Sequence, residues 1–404
     1  MKVEKVKQSF WIVAMGVAFE HFDMMLVSLL ASSVVVEFVG ETTPELKLLY
    51  AYIGYAIAFL FRPLGAFFFG CIGDLYGRKT ALISSVILMT TATLALAFIP
   101  GVKVLGGATT IIFLLCRVAQ GLAVGGEYGT AMTYAYELNP SWRTFYGACI
   151  ISSTHFGGLL ASFLAGIYIE NFRMTFLIGG IIGLCLLLFR SLMEENHKQR
   201  LKKIFEITTE SVKNKGAILQ AAVIASMQVL VFYGSLIYIN ELVHQELGIL
   251  KSQIFMANSF LLGLWIILPP YIAYIADKYF FSYLKIMRFG ALGVFLSAPF
   301  LGLSLVLAFY PGIVISQMVV HVFHMIFCLC TPRFFGDLFG SSARNTAVST
   351  SYSIGASFTA ALAPMTCYIS VNLFHTNFAI CVPFMLMALV TIFILKKEMV
   401  YAKG

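Results

Sequence analysis

The chain is written as a succession of long apolar runs separated by short polar breaks, and each run is close to the ~20 residues that carry an α-helix across a ~30 Å hydrocarbon core. Six runs precede Glu194: Phe10–Val36, Leu48–Cys71, Thr80–Ile99, Ala108–Tyr136, Thr144–Ile169 and Thr175–Met193. Six more follow Lys215: Gly216–Tyr238, Ser252–Ile275, Ser282–Phe309, Gly312–Leu329, Thr346–Val371 and Asn377–Leu395. Lipid offers no hydrogen-bonding partner, so a segment that crosses it must satisfy its own backbone, and runs of this length do so as helices. Only 11% of the residues are charged, against about 25% in soluble domains, which excludes an ordinary water-soluble enzyme. The expected fold class is an all-α membrane protein with twelve transmembrane helices in two six-helix halves.

The pattern breaks once in the middle. From Glu194 to Lys215 the chain is polar and basic, with Lys198, Arg200, Lys202, Lys203, Lys213 and Lys215, and it cannot cross lipid. The expected organisation is therefore an N-terminal bundle over 1–193, a cytoplasmic linker over 194–215 and a C-terminal bundle over 216–404. A tight turn at Tyr310-Pro311-Gly312 is expected to separate the ninth and tenth helices. Lys and Arg concentrate in alternate loops, as at Arg78, Lys79, Arg143, Arg190, Lys278, Lys285, Arg288, Arg333 and Arg344, while the opposite loops hold only Lys47, Lys103, Arg173 and Lys251. The basic side is cytoplasmic by the positive-inside rule, which places both termini there and assigns the net charge of +8 to topology instead of nucleic acid. The first run carries Glu20 and Asp23 and is too long for a signal peptide, so it is read as the first helix. All eight cysteines fall in apolar segments, which implies no disulfide framework. No metal site or cofactor is expected.

The halves echo each other. Between the second and third runs lies Gly70-Cys-Ile-Gly73-Asp74-Leu-Tyr-Gly77-Arg78-Lys79, and between the eighth and ninth lies the weaker Ala273-Tyr-Ile-Ala276-Asp277-Lys278. Glu137 precedes Arg143 after the fourth run, and Asp337 precedes Arg344 after the tenth. Internal duplication is the plan of transporters that rock two halves about a central site.

The Gly70–Lys79 string matches the loop pattern of the major facilitator superfamily, G-x-x-x-D-x-x-G-R-K/R. With Glu20-His-Phe-Asp23, Arg62-Pro63-Leu64-Gly65, Arg117-Val-Ala-Gln120-Gly121-Leu-Ala-Val-Gly125-Gly126-Glu127-Tyr128 and Glu137-Leu-Asn-Pro140-Ser-Trp-Arg143, the chain resembles the metabolite:proton symporters of that superfamily. That group includes proline/betaine, shikimate, citrate and 2-oxoglutarate carriers. The likeness is strong before Gly158 and looser after Gly216, where Asp337-Leu-Phe, Arg344, Tyr352-Ser-Ile-Gly355 and Pro364 carry it. His21 and Phe22 depart from the Trp/Tyr-rich sequence usual there. The expected lack of a long carboxy-terminal coiled coil argues against osmosensing. The resemblance implies the major facilitator fold, a bacterial inner-membrane location, and proton-coupled import of an organic acid, amino acid or betaine by a monomer whose partners are substrate, protons and lipid.

Candidate functional residues are polar groups inside apolar runs, where a charge costs about 2.5–3.5 kcal/mol or more. Asp23 stands thirteen residues into the run that begins at Phe10, near the midplane, and is the expected coupling carboxylate, with Arg117 as its counter-charge and Glu20 and Glu127 as alternative carriers. A static salt bridge is the competing reading. Arg117, Gln120, Glu127 and Tyr128 share one helical stripe, as do Tyr52, Tyr55 and Arg62. Arg62, Arg117, Tyr52, Tyr55 and Gln120 are candidates for binding an anionic substrate, joined by His155, Gln317 and His321; for the histidines, including His324, neutral hydrogen bonding between helices is the plainer alternative. The expected cytoplasmic gate comprises Gly70, Asp74, Gly77, Arg78, Glu137 and Arg143 with Asp277, Asp337 and Arg344 opposite. A drug:proton antiporter or facilitative carrier of the same fold is the nearest rival function. A membrane enzyme is disfavoured: the sequence has no His-Glu-x-x-His, Gly-x-Ser-x-Gly or Cys-x-x-Cys motif.

Overall fold

The computed structural model describes residues 2–41, 44–168, 171–193, 206 and 214–396. Most of the basic linker therefore lies outside the described residues. Among those described there is no β-strand, and twelve helices are long and apolar enough to cross a bilayer. Spans 1 to 6 are Gln8–Val27, Ala56–Tyr76, Arg78–Phe98, Gly107–Leu138, Pro140–Ile167 and Phe172–Ser191. Spans 7 to 12 are Lys215–Leu247, Ser252–Lys278, Tyr283–Val306, Tyr310–Leu338, Arg344–Phe374 and Asn377–Leu395.

Among the run boundaries that differ from the sequence reading, two do so for evident local reasons. The run Phe10–Val36 is two helices, because the helix Lys2–Leu29 stops and a short helix Ala31–Phe38 begins after Leu30. That short helix is fixed from its far end: Glu37 accepts from Arg173 at 2.7 Å and the Phe38 carbonyl accepts from the Thr110 hydroxyl at 2.8 Å. The turn between spans 9 and 10 falls over residues 307–309, with Ala308 at φ 52°, and not at Tyr310-Pro311-Gly312. Pro311 instead occupies the first turn of span 10, where the N–H it lacks would have had no intrahelical partner.

The described chain divides into two compact units. The first comprises residues 1–138, 153–213 and 341–353, the second 139–152, 214–340 and 354–404. The start of span 5 thus belongs to the second unit and the start of span 11 to the first.

Small residues set the helix spacing within each unit, since lipid supplies no hydrophobic drive between helices and close backbone approach must do so. In the first unit Gly157 of span 5 lies against the Ala18 carbonyl of span 1, with no room for a Cβ. In the second, Gly355 of span 11 lies in the same way against the Ala222 carbonyl of span 7. The duplication visible in the loops therefore extends to the packing. Span 7 also contains a π-helical segment, Gly234–Ile239, the kind of irregularity that clusters at functional positions.

Candidate functional site

Inside the first unit, Asp23 is fully buried. Thr93 of span 3 donates its hydroxyl to Asp23 Oδ1 at 2.5 Å, and Gln120 of span 4 donates its amide to Oδ2 at 2.5 Å. Gln120 Oε1 in turn accepts from Arg117 at 2.7 Å, and Arg117 Nε donates at 2.9 Å to the carbonyl of Gly54, on the helix Pro44–Tyr76 just ahead of span 2. The expected Asp23–Arg117 pairing is thus relayed by an amide. One helical turn separates Arg117 from Gln120, so a single face of span 4 supplies both the cation and the group that carries its influence to span 1.

The same stripe continues to a second buried pair. Glu127 of span 4 is gripped through both oxygens by the guanidinium of Arg190 from span 6, with Arg190 Nη1 at 2.9 Å from Oε2, and it accepts from Ser85 of span 3 at 2.8 Å. Arg190 also donates to the Leu82 carbonyl and is fully buried. The sequence reading counted it only as a loop charge, because it closes an apolar run beside a basic linker. Its fork binds a carboxylate in two places at once, which a lysine would not do. Glu20 of span 1 lies at the edge of this cluster.

Arg62 of span 2 is buried and lies between two rings, 5.9 Å from the centroid of Tyr128 and 5.4 Å from that of Tyr352. His155 is buried and meets the Thr154 hydroxyl through Nδ1 at 3.0 Å. Tyr52 and Tyr55 stand on the helix Pro44–Tyr76, ahead of span 2, but their side chains lie outside the described residues.

In the second unit Gln317 and His321 of span 10 converge on the π-helical segment of span 7. Gln317 donates to Ser235 Oγ at 2.8 Å, and His321 Nε2 lies 3.0 Å from the same oxygen. Trp265 of span 8 donates its indole N–H to His321 Nδ1 at 3.3 Å, so Nδ1 is the acceptor in that bond. His324 stacks edge-on against Trp265 at 5.2 Å.

The charged ends of the spans form a separate set of ties. Gly77 turns the chain between spans 2 and 3 at φ 101°, a conformation glycine adopts without strain. That turn brings Arg78 back onto Asp74 at 2.8 Å and onto Glu137 at 3.1 Å. Asp74 then caps the start of span 11, accepting from the backbone N–H groups of Asn345 and Thr346 at 3.2 and 2.8 Å and from the Thr346 hydroxyl at 2.7 Å. A carboxylate there meets both the orphan donors and the positive end of the helix dipole. Asn345 adds a bond to the Gly70 carbonyl at 3.2 Å, and Arg344 reaches Glu137 at 3.0 Å. In the second unit Asp277 accepts from the Phe145 backbone N–H at 2.8 Å and from Arg333 at 3.1 Å, and Arg143 lies 3.8 Å from Asp337. Glu137 therefore answers Arg78 and Arg344, while Arg143 answers Asp337. Sequence reasoning passed over Arg333, Asn345 and Thr346; the one available signal was Asn-Thr at the start of an apolar run, where helix caps gather.

Among the described residues, twelve membrane-length helices with buried ion pairs and charged loops define a polytopic membrane protein. The chain belongs to the Major Facilitator Superfamily, whose sequence profile matches residues 13–347. It is 33% identical over 205 residues to a putative proline/betaine transporter of Staphylococcus haemolyticus, a match covering 48% of this chain and 44% of that protein. It is 26% identical over 370 residues to the shikimate transporter of Escherichia coli, covering 84% and 82%, and 27% identical over 275 residues to the alpha-ketoglutarate permease of the same organism, covering 65% and 63%. The match spans less than half the length of the first of these relatives. Among solved structures, the proton:xylose symporter XylE bound to a bromodeoxyglucose superposes with a TM-score of 0.80 at 16% identity, covering 99% of this chain and 97% of that one. The human organic anion transporter MFSD10 gives 0.76 at 14%, covering 97% and 99%. At these identities the structural likeness concerns the fold alone.

Proposed function

We propose that the chain is a proton-coupled symporter that imports a small polar metabolite, an organic acid, amino acid or betaine, across a bacterial inner membrane by alternating access, as a monomer with both termini cytoplasmic. The halves 1–193 and 216–404 are the moving bodies, joined by the linker 194–215. The observation that carries this reading is the fully buried Asp23, held by Thr93 and Gln120 with Arg117 one bond behind.

An ionised carboxylate is tolerable there only while its donors and the relayed positive charge remain in place. Withdrawal of Gln120 or Thr93 as the helices shift leaves the group to take up a proton. Proton occupancy then differs between the two states, and a ligand shifts an equilibrium only through such a difference. Arg62, between its two tyrosines, is the cation placed to take an anionic group of the substrate. The relatives whose names specify a substrate carry proline or betaine, shikimate, or alpha-ketoglutarate, and each of these has a carboxylate. The ties at Asp74, Arg78, Glu137, Arg344, Arg143, Asp337 and Asp277 serve as the cytoplasmic gate.

The test is uptake of a labelled panel of these compounds by proteoliposomes, with and without an imposed pH gradient. Accumulation driven by the gradient is expected for at least one of them. The Asp23→Asn protein is expected to lose that accumulation while retaining exchange of the same compound down its own gradient. Asp23→Asn protein that still concentrates the compound when a pH gradient is imposed overturns the assignment.

A further inference from the structure

The mechanism above makes no use of Glu20. It is 2% exposed, and among the described residues neither of its carboxylate oxygens has a hydrogen-bond partner. The nearest ionisable nitrogen is His21 Nδ1, 3.9 Å away, whose proton goes to the Val17 carbonyl at 3.3 Å. The charges that act on Glu20 come from three other spans: Arg62 of span 2, Glu127 of span 4 and Arg190 of span 6. His21 beside it feels Arg62 and His155 of span 5, and span 3 contributes the neutral Ser85.

Glu20 and Glu127 line one small cavity, together with Gly16, Phe19, Ser85, Val86, Met89 and Ala123. Gly16 lies one turn before Glu20 on the same face of span 1. A Cβ at Gly16 would run into the Arg190 guanidinium and the Glu127 carboxylate, so that ion pair rests directly on the backbone of span 1, about 6 Å along the axis from Glu20. Arg190 Nε has no partner among the described residues.

We propose that Glu20 and Glu127 form a second proton site, in which the two carboxyl groups are alternative partners of the one guanidinium of Arg190 and the carboxyl without it carries the proton. The proposal rests on the reading of the chain as a proton-coupled transporter. A buried carboxylate with no donor is far costlier than its neutral acid, so in the present arrangement Glu20 holds the proton and Glu127 is ionised. If Arg190 moves one turn to Glu20, the Glu20 O–H bond breaks, a proton bonds to Glu127, and Glu20 becomes the ionised partner. Each arrangement contains one guanidinium, one carboxylate and one carboxylic acid. Net charge and proton count are unchanged, so neither arrangement strands an uncompensated charge in the bundle.

The test needs no substrate. Infrared spectra of the purified full-length protein, compared in light and heavy water, should show the high-frequency carbonyl stretch of a protonated buried carboxylic acid. That band should vanish in Glu20→Gln and persist in Asp23→Asn. It should also vanish in Glu127→Gln, because Arg190 is then free to pair with Glu20 and ionise it, and return in the double variant Glu127→Gln with Arg190→Gln. A band that survives Glu20→Gln, or one that survives Glu127→Gln, overturns the proposal. Should Glu127→Gln fail to give folded protein, Arg190→Gln alone is read: neither carboxyl then has the Arg190 guanidinium as partner, and the band should roughly double, an unchanged band again being contrary. Failure of the Asp23 assignment is separable, since it is read from accumulation and leaves the Glu20 band in place.

Discussion

Asp74→Asn isolates the tie at the start of span 11. The carboxylate accepts four hydrogen bonds, from Arg78, from the backbone N–H groups of Asn345 and Thr346, and from the Thr346 hydroxyl. Asparagine keeps one acceptor oxygen and turns an amide donor toward groups that are themselves donors. Breaking a buried charged pair costs about 3–5 kcal/mol when it strands the partner. Here Arg78 keeps Glu137 and the Gly73 carbonyl, so the loss is smaller, about 3 kcal/mol once the weakened helix cap is included. If the tie exists only while the cytoplasmic gate is closed, about 3 kcal/mol moves the equilibrium toward the open form roughly a hundredfold. A cysteine placed at Ser349, which is buried and packed against Gly129, reports this. Its labelling by a membrane-impermeant maleimide in inverted vesicles should accelerate by one to two orders of magnitude in the Asp74→Asn background, after subtraction of the native cysteines. Folded Asp74→Asn protein with an unaltered labelling rate would refute the gate assignment of this residue.

Two further outcomes follow from the packing and the relay. Gly355→Ala sets a methyl against the Ala222 backbone and should destabilise the protein by about 1–3 kcal/mol, read as a lower melting temperature in detergent; an unchanged melting temperature would mean that the two helices separate without cost. Arg117→Lys keeps the charge but cannot serve the Gly54 carbonyl and Gln120 in the same planar geometry, so gradient-driven uptake should fall severalfold or more, and wild-type uptake by this variant would show that only the charge matters.

Span number and the charges that stand well inside the apolar runs were legible in the sequence, since both follow from local composition. A run near twenty apolar residues has one structural outcome in lipid, and an Asp or Arg within it stands out against that background. The loop string from Gly70 to Lys79 was legible for a similar reason: Gly77 is needed by its own φ, and Asp74 and Arg78 are four residues apart on adjoining turns. Residues whose partners lie far along the chain were less so. Arg190 reads as a topological charge until span 6 is set beside span 4, and Arg333 reads likewise until Asp277 is beside it. Thr93 is unremarkable in sequence and Gln120 stands out there only as a polar residue on the stripe of Arg117, yet these two are what Asp23 touches.

The sequence by itself determined that this chain crosses a membrane about twelve times, that its two halves share a plan, and that Asp23, Arg62, Arg117 and Glu127 are charges placed where charges are costly. Only the tertiary structure decided which of them meet. Partner choice across spans depends on how far each helix is rotated about its axis. That rotation is set by backbone contacts such as Gly157 on Ala18 and Gly355 on Ala222, between residues more than a hundred positions apart, which no local pattern of hydrophobicity encodes. So Arg117 reaches Asp23 through Gln120, Glu127 takes Arg190, and Glu20, one turn from Asp23 on the same helix, is left without a hydrogen bond.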